Sequence, residues 1–242
     1  RRRGVGAGMR SAKRPRTANG WKYWIGPGAR CGTCCSTSPN RDNGSDRVRL
    51  FAAYSPLASD APYTKTGPSV QRKELEHVIR AAGSIAEADE LIILGSMAIL
   101  GAYPDAPEEL LISREVDTYP TTVPERADLI DGSIGELSPF HEQFGYYAHG
   151  VGPETAVLPA GWKERLVVVS NENTGGITDL CLHPADLAIS KMIAGCEKDL
   201  DYVGILLKQG LVDEDEIRSL LQELPQDQVD RVESLLKRLR RV

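Results

Sequence analysis

The stretch Leu91-Ile92-Ile93-Leu94-Gly95-Ser96-Met97-Ala98-Ile99-Leu100, followed by Ser113-Arg114-Glu115-Val116-Asp117, decides how this chain reads. Four consecutive branched apolar residues predict a short buried strand, Gly95-Ser96 a tight exit, and Met97 to Leu100 the start of a helix. A helix entered through Gly-Ser offers backbone N–H groups and a hydroxyl to an anion such as a phosphate. In a strand, residues two apart share a face, so Glu115 and Asp117 present two carboxylates side by side, a way to hold a divalent metal. A phosphate cradle beside metal carboxylates points to nucleotide chemistry. Taken alone, two charges spaced by one residue also fit the solvated side of a half-buried strand; the Gly-Ser turn upstream gives them weight.

Working outward, Ser69 is placed to cap a helix from Val70 to Ala82, with Leu75, Val78 and Ile79 on one stripe and Gly83 closing it. Downstream, Pro120 and Pro124 end the carboxylate strand, and residues 125 to 135 read as a helix or turn. Residues 144 to 148, 166 to 169 and 177 to 182 read as three further strands. The order helix, strand, helix, then several strands predicts a mixed sheet in an α+β or α/β domain. From Pro184 everything reads as helix: Pro184 suits a first helical position, and Ile189, Met192, Ile193 and Cys196 form a stripe. Later helices are expected near 199–208, 213–221 and 226–240, with Gly210 and Pro225 as punctuation. The organisation is therefore residues 1–68 as a disordered basic extension, 69–183 as the core and 184–242 as a helical bundle. Residues 1–68 are rich in Gly, Arg, Ser and Pro and show no sustained period. The chain opens on Arg rather than Met, which reads as a fragment or a frame extended upstream of the true start.

Charge sharpens this division. Of 242 residues with a net charge of −5, residues 1 to 41 hold ten Lys or Arg and no Asp or Glu, leaving nineteen basic against thirty-four acidic residues in 42–242, a net of −15. An acidic body argues against a broad nucleic-acid surface, whose affinity comes from neutralising phosphates, though a local basic patch or the basic arm could still serve. No apolar run approaches the roughly 18 residues of a membrane span, so a soluble protein is expected. The five cysteines are an odd number with no secretory segment before them, which favours a reducing cytoplasm. Cys31-x-x-Cys34 lacks a second pair at zinc-finger spacing. The four histidines, His77, His141, His149 and His183, show no metal-ligand spacing and read as ordinary surface or packing residues. Serine-hydrolase, zinc-protease and P-loop motifs are missing.

Lys191 lies one or two turns into the Pro184 helix, and Lys198, seven residues on, returns to nearly the same face. Two such lysines across a cleft from two carboxylates would hold a triphosphate. By the 100° per residue rule Asp201 lies about 60° from Lys198 and Asp199 about 100°, which favours Asp201 as the polar group sharing that face. The plain alternative is a solvated, salt-bridged helix face.

The segment Leu94 to Gly101 with Ser113 to Asp117 resembles the G-S, spacer, D-x-D motif of DNA polymerase β-type nucleotidyltransferases. The runs Pro184 to Lys191 and Glu197 to Tyr202 resemble the Lys and Lys/Arg-Asp helix motif of the AbiEii or MenT branch. Members of that branch act as toxins in bacterial toxin–antitoxin systems, and the nearest look-alike is an uncharacterised group of bacterial nucleotidyltransferase-like proteins. The likeness runs from about Val70 to Leu221. It implies an α+β fold with a polymerase β-type mixed sheet, flanking helices and a C-terminal helical bundle. It also implies Mg²⁺ on Glu115 and Asp117, an NTP whose phosphates lie on Gly95 and Ser96, Lys191 on the triphosphate, and Asp201 or Asp199 positioning it or activating the acceptor. NMP would pass to an acceptor such as tRNA or protein, and an antitoxin protein is an expected partner. The alternative is a catalytically inactive relative that binds a nucleotide or a partner protein. Two departures matter. Glu115 stands where the pattern has Asp, and a displacement near 1 Å can cost about 100-fold in rate. A third strand carboxylate has no clear match, Glu142 and Asp179 being the candidates.

Overall fold

A computed structural model describes residues 70–222 and 224–240. The first helix, α1 (Arg72–Ala86), begins with the Gln71 N–H donating to the Glu74 carboxylate at 3.2 Å and ends at Glu87 in the left-handed region. The expected cap, Ser69, lies outside the described residues. Gly83 does not close this helix but lies within it, where a Cβ would sit 2.7 Å from Ile177; the glycine is a contact point.

Strand β1 (Glu90–Ile93) leads into Gly95, a three-residue turn of 3₁₀ helix (Ser96–Ala98) and the short helix α2 (Ile99–Ala102). After β2 (Glu115–Pro120) come α3 (Ala127–Ile134) and α4 (Pro139–Phe144), then β3 (Tyr147–Gly150), β4 (Val167–Val169) and β5 (Thr178–Cys181). The strand expected over 144–148 therefore starts three residues later. Ser138 caps α4 by accepting from the His141 N–H, and Pro139 occupies its first turn, so Phe144 ends a helix whose C-cap is Gly145 at φ 79°.

The five strands run in the order β3-β2-β1-β5-β4, with β1 antiparallel to β2 and parallel to β5, β2 parallel to β3, and β4 antiparallel to β5. Pleating sorts the side chains onto two faces. Leu91, Ile93, Val116, Thr118, Ala148, Asp179 and Cys181 point to one face, all fully buried. Helices α1 and α3 cover that face with Leu75, Val78, Ile79, Ala82, Ala127 and Ile130. The opposite face carries Tyr147, His149, Glu115, Asp117, Tyr119, Ile92 and Leu180, and its end at Glu115, Asp117 and His149 is half-buried.

Helix α5 (Pro184–Ala194) buries Leu187, Ala188, Ile189 and Met192, and its Asp186 receives two hydrogen bonds from Arg165, at 2.8 and 2.7 Å. Because Asp186 is fully buried, that bidentate pairing is what makes its burial tolerable. Helices α6 (Glu197–Lys208), α7 (Glu214–Leu221) and α8 (Gln226–Leu239) follow, with α6, α7 and α8 all packing on α5. No helix among the described residues is long and apolar enough to cross a membrane. The result is an α+β fold with a mixed sheet, flanking helices and a C-terminal helical region, that of a polymerase β-type nucleotidyltransferase.

Candidate functional site

The site starts from a close approach. Gly95 has φ 29°, and a Cβ built on it would lie 1.9 Å from Asp117 Oδ2, so only glycine lets the turn after β1 sit against that carboxylate. The Leu94 N–H donates to the Asp117 carbonyl at 3.0 Å, which fixes the turn to the strand. The Gly-Ser turn and the carboxylate strand, twenty-odd residues apart in sequence, thus share one edge of the site.

Glu115 and Asp117 do project side by side from β2, and β3 brings His149 opposite Asp117 in the parallel register. His149 Nδ1 lies 2.7 Å from Glu115 Oε1 and 3.0 Å from Asp117 Oδ1. One ligand atom from each of the three falls within 4.8 Å of the others. His149 is therefore not an ordinary packing histidine. Nothing local marked it: its partner lies 32 residues earlier, and pairing between β2 and β3 is a tertiary fact that the alternation Tyr147-Ala148-His149 cannot reveal.

Charge states follow from this crowding. A hydrogen bond to Asp117, then the negative charges of Glu115 and Asp117, push His149 up to about 9 against its partial burial. Burial, and then the neighbouring Asp117 charge, raise Glu115. The Tyr147 hydroxyl approaches Glu115 Oε2 at 3.5 Å, and burial with that carboxylate's charge keeps the phenol protonated. Two carboxylates held this close want a cation between them.

Neither candidate for a third carboxylate is here. Glu142 is exposed on α4, and Asp179 is fully buried on the other face of the sheet, where its Oδ2 accepts from the Cys181 thiol at 3.0 Å.

The lysine side of the site differs from the expected single helix face. Gly195, at φ 70°, ends α5 with its N–H on the Lys191 carbonyl at 2.8 Å, and Cys196 begins a separate helix. Lys191 and Lys198 therefore sit on different helices, and the seven-residue spacing carries no shared face. The same break moves the acidic partner. Lys191 Nζ donates to Asp199 Oδ1 at 2.8 Å, with both side chains largely buried, whereas Asp201 and Lys198 are exposed. The Lys191 ammonium also lies over the Tyr202 ring, 4.6 Å from its centre, and the Tyr202 hydroxyl donates to the Ser96 carbonyl at 2.7 Å. Tyr202 thereby ties the Gly-Ser turn to the lysine, a link with no signal in the sequence.

The donor set fits a divalent cation that displaces the His149 proton on binding: two carboxylates and, once deprotonated, an imidazole nitrogen converge. Glu115, Asp117 and His149 are the residues that could hold it. No curated protein and no solved structure matches the chain. A family model described as nucleotidyltransferase of unknown function, DUF6036, matches residues 73–231, from the start of α1 into α8 and across every element of the site, and the chain belongs to that nucleotidyltransferase family.

Proposed function

We propose that this protein is a cytoplasmic, divalent-metal-dependent nucleotidyltransferase that moves NMP from an NTP to the hydroxyl of a macromolecular acceptor, in the manner of the AbiEii and MenT toxins it resembles. The observation that carries the reading is the seating of Gly95 directly against Asp117, with Glu115 on the same strand face, so that the Gly-Ser turn adjoins a pair of carboxylates. Mg²⁺ is the cation the resemblance implies; when bound, it would neutralise the triphosphate and the charge that develops on the α-phosphate oxygens.

The chain's own residues then have separable tasks. Glu115 and Asp117 hold the cation, and Gly95 and Ser96 line the phosphates. Lys191, oriented by Asp199 and the Tyr202 ring, supplies positive charge from the helical side. The acceptor oxygen attacks the α-phosphorus, the bond to the bridging oxygen of the β-phosphate breaks, pyrophosphate leaves, and the hydroxyl proton passes to water. Asp199 takes the positioning task that the spacing had favoured for Asp201. An RNA acceptor such as tRNA would dock through a local Lys and Arg patch, since residues 42–242 carry a net of −15. In a toxin–antitoxin setting the antitoxin would be a protein partner that restrains this activity.

The test uses the full chain with each of the four α-labelled NTPs and Mg²⁺ or Mn²⁺, with and without total bacterial RNA, beside Asp117→Ala. The expected outcome is label on an acceptor and released pyrophosphate, both lost in the variant. Release that survives Asp117→Ala would sink the assigned metal site. Metal-dependent NTP binding with no release under any condition would favour the binding-only relative.

A further inference from the structure

We infer that His149 is a metal ligand, and that it turns the site from a Mg²⁺ site into one selective for a first-row transition dication such as Mn²⁺. The inference rests on reading Glu115 and Asp117 as metal-binding residues and deepens that reading.

The argument begins with what the strand register dictates. Parallel pairing of β2 with β3 sets His149 opposite Asp117 on the same face of the sheet. Its Nδ1 lies within hydrogen-bonding distance of one oxygen from each carboxylate, 2.7 Å from Glu115 and 3.0 Å from Asp117. A cation bound between those oxygens therefore meets a nitrogen as its third protein ligand. The two positions that could have supplied that carboxylate from sequence, Glu142 and Asp179, lie on a helix and on the opposite sheet face.

Donor chemistry then decides the ion. Mg²⁺ is hard, holds its waters, and is bound through carboxylate and phosphate oxygens. Imidazole adds little for Mg²⁺ but binds Mn²⁺, Fe²⁺, Co²⁺ and Zn²⁺ increasingly well, so replacing one oxygen by one nitrogen tilts selectivity toward the transition series. Glu115 in place of the shorter Asp fits the same view, because from its place opposite Tyr147 the longer side chain still reaches Nδ1 at 2.7 Å, while Asp117 stands directly opposite His149.

The test is spectroscopic and independent of turnover. The full-length chain is titrated with Mn²⁺ and followed by electron paramagnetic resonance, with Mg²⁺ as competitor, and the bound ion is examined for hyperfine coupling to nitrogen. Wild type is expected to show a directly ligated imidazole nitrogen and to prefer Mn²⁺. His149→Ala should lose that coupling and at least about tenfold in Mn²⁺ affinity with a smaller change for Mg²⁺. His149→Asp should narrow the Mn²⁺ preference by restoring an all-oxygen set. Mn²⁺ bound without nitrogen coupling, or a preference unchanged in His149→Ala, overturns the inference and leaves the two-carboxylate site standing. No Mn²⁺ binding, or equal binding by Asp117→Ala, overturns both.

Discussion

One sheet carries aspartates on both faces, and the two are in opposite circumstances. Asp117 lies half-buried beside a second carboxylate, a histidine and a glycine turn, and is paired with His149. Asp179, on β5, is fully buried where α2 packs on that strand, with a thiol on one oxygen and, among the described residues, no hydrogen-bond partner for the other. The same side chain is an instrument in the first setting and a cost in the second. What separates them is access: solvent and a cation can reach the first, whereas burial drives the second toward its neutral form.

Four substitutions break or sharpen this contrast. The largest effect is expected from Asp117→Asn, which keeps the shape but removes the charge; pyrophosphate release should fall at least about 100-fold while the far-UV circular dichroism is retained. Lys191→Met should come next, with nucleotide transfer reduced by about 100-fold. Calorimetric binding of an NTP analogue would show whether that loss arises in binding or in the chemical step. Third, Gly95→Ala forces a Cβ into the Asp117 carboxylate at a φ of 29°, and should cost about 1 to 3 kcal/mol of stability in a denaturant titration, together with weaker metal binding. The smallest effect on function belongs to Asp179→Asn, which should leave transfer intact and change only how stability depends on pH.

That pH dependence has a definite sign. Burial pushes Asp179 up to about 7, well above an ordinary aspartate near 4. Between those values the folded protein keeps a proton that the unfolded chain has released, so Asp179 favours folding most at the acidic end and loses that contribution as pH rises through about 7. Urea midpoints at pH 5 and pH 8 should differ by more in wild type than in Asp179→Asn. A variant with the same slope would mean that the buried carboxylate is not the group responsible.

The sequence carried some of this better than the rest, for physical reasons. The β1 run, the Gly-Ser exit and the Glu115–Asp117 pair are local: branched apolar residues, a glycine and a two-residue period report on the backbone where they stand. Membership of β3, and with it His149, depends on which strands pair and in what register, which no window of sequence contains. The lysine helix misled in a different way. Counting 100° per residue through Gly195 presumes one continuous helix, and the glycine's left-handed conformation starts a new axis, which is why Asp199 and not Asp201 meets Lys191. Tyr202 was visible as a residue in the helix run, but its reach to the Ser96 carbonyl spans 106 positions and exists only in the folded chain. Residues 1–68, the proposed basic extension, lie outside the described residues.

The measurement that bears most directly on the central claim is the binding of a non-hydrolysable NTP analogue to the full chain, titrated with and without Mn²⁺ or Mg²⁺, in wild type and Asp117→Asn side by side. The account predicts binding that needs the cation and disappears in the variant. Binding of equal strength without a cation, or undiminished in Asp117→Asn, would contradict it.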